Sequence, residues 1–311
     1  MSTERSSITI HGGDHDHVRD VAGDADGAML RYQAMSLQEL FPKMLETRCY
    51  EICEFSLANY LIVRGNGGDW LSAVPVFPFR CFRHSFALTR RDSALTDLRG
   101  LAGRKVGVPD YSMTAAVWFR GLLRAQYGVD HRTITWVTPR KQRLAIPQGV
   151  RIEFTDGELE ALLLAGDLDA MLGVSRRDAA LPVGERRLRT VLPDAEAVER
   201  DYFAHTSIFP IMHCVVIRND VLERMPQLPQ AVATAYAAAK TRAYARRSAS
   251  VLPWGVTRWD DDMAFFGRDP LPYGLNALNR MVVETLAGYL REQGFVSRLP
   301  HLDALFLSVT V

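Results

Sequence analysis

Leu98-Arg-Gly-Leu-Ala-Gly-Arg-Lys-Val-Gly-Val-Pro109 is the stretch that decides the fold class, because it leads from a loop into a buried strand. The turn Asp110-Tyr-Ser-Met-Thr114 follows this strand directly. A helical pattern then runs from about Ala115 to Tyr127, and Ile134-Thr-Trp-Val137 predicts another strand. A strand, a helix and a second strand in this order are typical of an α/β fold with largely parallel sheets.

The same alternation extends in both directions from this stretch, and no internal repeat or low-complexity segment interrupts it. Further strands are predicted at Ile8–Ile10, Cys49–Cys53, Val74–Phe77, Phe82–Leu88, Leu168–Leu172 and Ile211–Ile217. Further helices are predicted at Ser36–Glu46, Asp156–Ala165, Pro229–Arg247 and Asn276–Gln293.

Charge and length exclude several classes of protein. The chain has 311 residues, which predicts about two domains, and its 48% hydrophobic content is ordinary for a globular protein. The formal net charge is only +1, from 37 Lys and Arg against 36 Asp and Glu. This balance excludes recruitment to nucleic acid or to an anionic membrane by bulk charge, but it leaves room for a local basic pocket.

The chain ends and the cysteines favour the cytoplasm. The N-terminal residues are polar, without the basic and apolar segments of a secretory signal, and no apolar run is long enough to span a membrane. Four cysteines, Cys49, Cys53, Cys81 and Cys214, lie in apolar, strand-like runs. We interpret them as small buried thiols rather than as redox or metal ligands.

Several phrases of the sequence occur together in one known family. They are Glu54-Phe-Ser-Leu-Ala-Asn-Tyr60, Pro75-Val-Phe-Pro-Phe-Arg-Cys-Phe-Arg-His-Ser85, Gly107-Val-Pro-Asp-Tyr-Ser-Met-Thr-Ala-Ala-Val-Trp118, Gly166-Asp-Leu-Asp-Ala170, Phe209-Pro-Ile-Met-His213, and Pro272-Tyr-Gly274 with Asn279-Arg280. In these phrases the chain resembles the 4,5-dihydroxyphthalate decarboxylases, a family related to the type 2 periplasmic solute-binding proteins. The resemblance runs from about Ile8 to Phe306.

The resemblance implies a two-lobed α/β fold of the type 2 periplasmic-binding-protein kind, with a ligand cleft between lobes joined by two crossing strands. The crossings are expected near Phe82–Thr89 and Ile208–Val215. Residues 1–86 and 211–311 would form lobe one, and residues 87–210 lobe two. The chain departs from the family where a Tyr-Asp-Arg-Thr phrase normally follows the first strand, because Asp14-His-Asp-His-Val18 stands there without an arginine.

A substrate with two carboxylates needs cationic or N–H partners. Arg80 and Arg83 are candidates because the planar guanidinium binds carboxylates through two parallel hydrogen bonds. In an extended strand they would point to opposite faces, so we expect one of them, Arg83 by preference, to meet the substrate. The alternative for either is a structural ion pair.

Other candidate binding residues lie where strands pass into helices. Tyr111, Ser112 and Thr114 precede a helix whose first N–H groups would attract an anion, with helix capping as the alternative. Glu54 and Ser56 end a predicted strand, where open α/β sheets bind ligands.

Decarboxylation of a hydroxylated aromatic acid needs a base for the ring hydroxyl and an acid for the ring carbon. Histidine suits both roles because its pKa lies near ~6.5. His84 and His213 are the candidates in the expected crossing strands, with Glu54 as a further proton acceptor, and His205 has weaker support. Tyr273 would offer a hydroxyl or a stacking face; packing is the alternative for Tyr273 and a structural role for each histidine.

The loop after the first strand combines nitrogen and oxygen ligands at short spacing. Such a set suits a divalent metal, although short tracts of this kind are commonly solvated loops, so no cofactor is expected. The candidate metal ligands are His11, Asp14, His15, Asp16 and His17.

The sequence therefore predicts a cofactor-independent carboxy-lyase of aromatic catabolism. Its expected partner is a small aromatic dicarboxylate, most simply 4,5-dihydroxyphthalate, with neither nucleic acid nor membrane involved. The oligomeric state stays open, a homo-oligomer included. The alternative is a non-catalytic solute-binding protein for an organic anion, since one fold serves both functions.

Overall fold

The computed structural model describes residues 7–173, 177–246, 254–267 and 269–310. The chain divides into two compact units. The first consists of Met1–Arg80, Ile211–Met281 and Leu299–Val311, and the second of Cys81–Pro210 and Val282–Arg298.

Strands and helices alternate through the described residues. The strands are β1 (Ser7–Gly12), β2 (Gly23–Ala25), β3 (Ala28–Ala34), β4 (Ile52–Ser56), β5 (Leu71–Val74), β6 (Ala87–Arg90), β7 (Lys105–Gly107), β8 (Thr135–Pro139), β9 (Arg151–Thr155), β10 (Ala170–Leu172), β11 (Leu188–Thr190) and β12 (His213–Arg218). The helices are α1 (Leu37–Thr47), α2 (Leu57–Gly65), α3 (Thr114–Tyr127), α4 (Leu159–Ala165), α5 (Ala195–Thr206), α6 (Asn219–Arg224), α7 (Leu228–Ala245), α8 (Gly255–Phe266), α9 (Ala277–Glu292) and α10 (Leu302–Leu305).

The first unit is built on one mixed sheet with the strand order β2-β3-β1-β4-β12-β5. Strand β4 is central, parallel to β1 and antiparallel to β12. All five residues of β4 are buried, and the small and apolar face of α7 packs on the same core. When both faces of a sheet are covered, consecutive residues of a strand are all buried, instead of alternating between buried and exposed positions.

The second unit is built on another mixed sheet, ordered β11-β6-β10-β7-β8-β9. The βαβ unit that decides the fold class is β7, α3 and β8, with β7 and β8 parallel. Helix α3 ends at Gly128 and α4 at Gly166, each in the left-handed region with φ of 67° and 91°. Glycine closes a helix in this way because it has no Cβ to oppose a positive φ.

The predicted alternation of strands and helices is confirmed, but the expectation of largely parallel sheets is wrong. Each sheet contains antiparallel as well as parallel pairs. In the first sheet β12 is antiparallel to β4 and to β5. In the second sheet β6 is antiparallel to β10 and to β11. The strand predicted at Cys49–Cys53 begins later, at Ile52. The one predicted at Phe82–Leu88 starts with a helical turn, His84–Phe86, before β6.

The boundary between the units also differs from the expected lobes. The chain passes from the first unit to the second after Arg80, before the expected crossing at Phe82–Thr89. Residues 81–86 belong to the second unit because Cys81 N–H donates to the Pro210 carbonyl and His84 contacts Gln126. Residues 282–298, which include the last eleven residues of α9, also belong there. The return to the first unit at Pro210/Ile211 falls at the predicted position.

The four cysteines are free thiols, and the prediction that they are buried is confirmed for Cys53 and Cys214 but wrong for Cys49. Cys53 and Cys214 are buried, Cys81 is half-buried, and Cys49 is exposed because it precedes β4. In the part of the chain that the structure describes, no helix is both long and apolar enough to cross a membrane.

Gly121 tests the packing of α3 on α9. A Cβ at Gly121 would lie 2.2 Å from the Tyr289 ring, so both helices would have to shift. We expect Gly121→Ala to lower the free energy of unfolding by about 1–3 kcal/mol, the usual cost of overpacking. The control is Gly288→Ala in α9, where a Cβ meets nothing within 4 Å and better helix propensity should stabilise the protein slightly. Urea denaturation measures both, and equal stability of the two variants would contradict the packing argument.

Candidate active site

The first unit contains a buried carboxylate at the centre of its sheet. Glu54 is the third residue of β4, opposite Val215 of β12, and its side chain is 0% exposed. An ionised carboxylate in such a place is costly unless charged or N–H partners surround it.

Three N–H groups supply these partners. His213 Nδ1 lies 2.6 Å and His15 Nε2 3.1 Å from the same oxygen, Oε1 of Glu54. The backbone N–H of Gly13 donates to Oε2 at 2.8 Å. An ionised carboxylate only accepts hydrogen bonds, so both imidazoles donate to it. We call His15, Glu54 and His213 the His–Glu–His cluster.

The contacts of the cluster perturb the pKa values of Glu54 and His15. Burial opposes ionisation of Glu54, but the hydrogen bonds and charges of His15 and His213 outweigh it and hold the pKa of Glu54 well below its usual range. Burial likewise opposes protonation of His15, and the Glu54 carboxylate, with smaller contributions from Asp14 and Asp16, still raises the pKa of His15. The cluster therefore favours an ionised Glu54 beside a protonated His15.

Aromatic rings enclose both histidines. Phe79 stacks on His15, with ring centroids 5.3 Å apart and planes at 5°, and it also contacts His213 at 5.2 Å. Phe41 meets His213 edge-on at 5.0 Å. His17 stacks on His15 at 5.7 Å and donates from Nε2 to the Pro78 carbonyl at 2.7 Å. These contacts restrict the orientation of both imidazoles and reduce the local dielectric.

The turn after β1 places His15 through two glycines. A Cβ at Gly13 would lie 2.6 Å from His15 Nε2, and a Cβ at Gly12 would lie 2.3 Å from the Tyr32 hydroxyl and 3.2 Å from Glu54 Oε2. The Tyr32 hydroxyl donates to the Gly13 carbonyl at 2.7 Å. The backbone at Gly12 and Gly13 can therefore lie this close to Glu54 and His15 only because glycine has no side chain.

The cluster suits proton exchange. Because each ring donates one N–H to Glu54, its second nitrogen, Nδ1 of His15 or Nε2 of His213, is the atom that can exchange a proton with a bound molecule. The side chains of His15 and His213 are 20% and 13% exposed, so solvent or a ligand reaches them. The three residues also form a group with metal-ligand spacing.

The structure unites two residues that sequence reasoning named as catalytic candidates, Glu54 and His213, and adds His15. From the sequence, His15 was a candidate only as a metal ligand. The sequence feature that pointed to a site at His15 is the Asp14-His-Asp-His17 loop after the first strand, because α/β sheets of this kind bind ligands at the ends of their strands.

Most other members of the predicted metal set have different partners. His11 packs on the Tyr50 ring at 4.4 Å, and Asp14 and Asp16 form ion pairs with Arg19 at the surface. His17 is bound to Pro78, as above. The structure therefore gives His11, Asp14, Asp16 and His17 partners within the protein and places His15 beside Glu54, and the metal set stays a prediction.

Three further candidates of the first unit are held by structural contacts. Arg80 is buried and donates from Nη2 to the Asn279 side chain at 2.6 Å and to the Pro272 carbonyl at 2.9 Å. Tyr273 is buried with the Lys240 ammonium 4.1 Å from its ring centroid. Ser56 caps α2 by accepting the Asn59 N–H.

The remaining candidates belong to the second unit. Arg83 is buried with its guanidinium 4.7 Å from the Phe86 ring centroid, and His84 is buried with Nε2 2.7 Å from Gln126 Oε1. Burial lowers the pKa of His84. His205 is exposed at the end of α5 and pairs with Asp201 at 3.2 Å.

The Asp110 carboxylate lies just before the start of α3, where the sequence predicted an anion of the substrate. The N-cap is Met113, not Ser112 or Thr114, and Asp110 Oδ1 accepts both the N–H and the hydroxyl of Ser112, at 3.0 and 2.7 Å. Tyr111 is fully buried against Trp136 and Phe295. The expectation that Ser112 or Thr114 caps α3 is therefore wrong.

Comparison with known proteins gives two close matches in sequence. The chain is 31% identical over 316 residues to a 4,5-dihydroxyphthalate decarboxylase of Comamonas testosteroni, which covers 96% of this chain and 94% of that protein. It is 30% identical over 188 residues to a 4,5-dihydroxyphthalate decarboxylase of Pseudomonas putida, over 57% of this chain and 72% of that protein. No protein-family model matches the chain.

Solved structures confirm the predicted fold. The periplasmic aliphatic sulphonate binding protein SsuA from Escherichia coli matches with a TM-score of 0.61 at 13% identity, over 97% of this chain and 98% of that one. The desulfurization enzyme DSZB matches with a TM-score of 0.53 at 14% identity, over 97% and 96%. The chain therefore has the two-unit α/β fold of the periplasmic binding proteins.

Replacing the buried carboxylate tests the electrostatics of the cluster. In Glu54→Gln the negative charge that raises the pKa of His15 is gone while the burial that lowers it stays. We expect the pKa of His15, followed by NMR of the imidazole, to fall below its ordinary value. Asp14→Asn, which removes a smaller contribution, should lower it less. An unchanged pKa in Glu54→Gln would show that Glu54 does not control this histidine.

Proposed function

Since the chain belongs to the 4,5-dihydroxyphthalate decarboxylase family, we propose that it converts 4,5-dihydroxyphthalate to 3,4-dihydroxybenzoate (protocatechuate) and carbon dioxide. The observation that supports this reaction in the structure is the buried Glu54 carboxylate with its two imidazole donors. Such a cluster offers an acid and a base within one site, the two groups that this decarboxylation requires.

The reaction balances without an oxidant or a reductant. A base takes the proton of the ring hydroxyl para to the departing carboxylate, and the electron pair flows through the ring to the carbon that bears this carboxylate. An acid protonates that carbon, and the bond to the carboxylate then breaks, so that its electrons restore the aromatic ring and the hydroxyl proton returns. The net change is uptake of one proton and release of one carbon dioxide.

We assign the acid to His15 and the base to His213. A protonated His15 beside an ionised Glu54 carries no net charge, which suits a pair whose carboxylate is fully buried. His15 has a raised pKa, so it holds a proton to give to carbon. Glu54 touches neither the proton given nor the proton taken; it orients both rings and offsets the positive charge of the imidazolium.

Turnover of the diacid is the test of the proposed reaction. Purified full-length protein is incubated with 4,5-dihydroxyphthalate, and carbon dioxide and product are measured, with the product expected to carry deuterium on the former carboxylate carbon in D₂O. Binding of the diacid without any turnover would instead favour the solute-binding alternative. Neither turnover nor binding of any hydroxylated aromatic dicarboxylate would refute the proposal.

Substitution of the two histidines tests their roles. We expect His15→Gln and His213→Gln each to lower kcat by about 10²–10⁴, the usual contribution of an acid or a base. His301→Gln is the matched control, because His301 is exposed and pairs only with Asp303 in the part of the chain described. A kcat within twofold of the unsubstituted protein in either cluster variant would remove that histidine from the mechanism.

Arg83 stays the predicted partner of a substrate carboxylate. Its guanidinium is buried, and an arginine that meets a carboxylate there would gain a strong, charge-assisted contact. We expect Arg83→Ala to raise KM about tenfold or more. Arg90→Ala is the control, since Arg90 lies at the surface beside Asp92. An unchanged KM in Arg83→Ala would reject this role.

A further inference from the structure

The His–Glu–His cluster has a ligand set that borderline-soft metal ions prefer. One ligand atom of each residue lies within 4.8 Å of those of the other two. Two imidazoles and one carboxylate form the ligand set of many three-ligand zinc and iron sites.

We propose that His15, Glu54 and His213 bind one Zn²⁺, and that zinc at this position switches the decarboxylation off. The binding itself depends only on the geometry of the cluster. The loss of activity rests on the proposed function, because it requires that the same imidazoles exchange protons with the substrate.

The distances from Glu54 Oε1 to the two imidazoles fit a zinc ion after small rotations of the side chains. With bonds of about 2.1 Å and tetrahedral angles, two ligand atoms of zinc lie about 3.4 Å apart. The hydrogen-bond distances to Glu54 Oε1 are 2.6 Å from His213 and 3.1 Å from His15. Ligand atoms that now share protons would therefore move apart by about 1 Å or less, and a fourth position would remain for water.

The surroundings hold the ligands in place. The Gly13 N–H anchors the second carboxylate oxygen of Glu54, so the first can turn towards an ion without losing its support. Phe79 packs on both imidazoles and limits their rotation. The partial exposure of both rings gives an ion access to the cluster, while the carboxylate itself stays buried.

Zinc and proton exchange exclude one another for a simple reason. The metal occupies the nitrogen atoms that face Glu54, together with the carboxylate oxygen that accepts their hydrogen bonds. Neither ring then has the carboxylate partner that orients it and offsets its positive charge. A metal-bound imidazole carries its remaining proton on the other nitrogen, so Nε2 of His213 no longer has a lone pair that accepts a proton, and His15 is no longer an imidazolium acid.

Isothermal titration of the full-length protein with Zn²⁺ alone tests the site. We expect one ion per chain and an affinity that falls at least tenfold in His15→Ala, His213→Ala and Glu54→Gln. His301→Ala, which removes an exposed histidine, should bind like the unsubstituted protein, and Mg²⁺, which prefers oxygen ligands, should not bind. Zinc affinity that is unchanged in the three cluster variants, or lost in His301→Ala, would overturn the site.

Two further measurements, of folding and of turnover, complete the test of the zinc site. Circular dichroism checks that each variant is folded; if His213→Ala is not, His15→Ala decides, because His15 lies in the turn after β1 rather than in a strand. Zn²⁺ at saturation should abolish turnover, and EDTA should restore it. Activity that is unchanged or raised at saturating zinc would overturn the switch. Absence of turnover in metal-free protein would refute the proposed function and leave the zinc titration to decide the site.

Discussion

The ionised carboxylate of Glu54, fully buried in the middle of a sheet, is the constraint on which the site depends. A charge in this position is tolerated only when donors compensate for the lost hydration, and here they come from two separate parts of the chain. β12 brings His213, the turn after β1 brings Gly13 and His15, and β4 holds Glu54 between them. The pairing of these three strands is therefore also the condition for a stable charge.

Aromatic packing, together with the hydrogen bonds to Glu54, fixes the orientation of both imidazoles. Phe79 lies against both imidazoles and Phe41 against one, so each ring is held by a plane of carbon on one side and by a carboxylate at its edge. In these surroundings electrostatic interactions are stronger than in water, which is why one carboxylate controls two histidines. These surroundings favour a protonated imidazole and also suit the proposed metal ion. A proton and the metal would compete for the nitrogen lone pairs that face Glu54.

The candidates that sequence reasoning named at helix starts have mostly local partners. Ser56 caps α2, and Ser112 binds Asp110, two residues away. Short polar side chains have such local alternatives, and a sequence cannot tell a cap from a ligand when both occur at the same position. Arg80 illustrates another limit, since its partners, Pro272 and Asn279, are distant in sequence and are recognised only after folding.

Sequence by itself determined the α/β class and the approximate positions of strands and helices. These follow from apolar periodicity, from turn residues and from short motifs, all of which are local. Glu54 and His213 were candidates because of the resemblance to a known family and their predicted places in the fold. Only the tertiary structure decided that the sheets are mixed and that His15 joins Glu54 and His213 at one carboxylate oxygen. The reason is that these contacts span 39 and 159 residues along the chain. Strand register, a property of the whole sheet, sets which side chains meet across such separations.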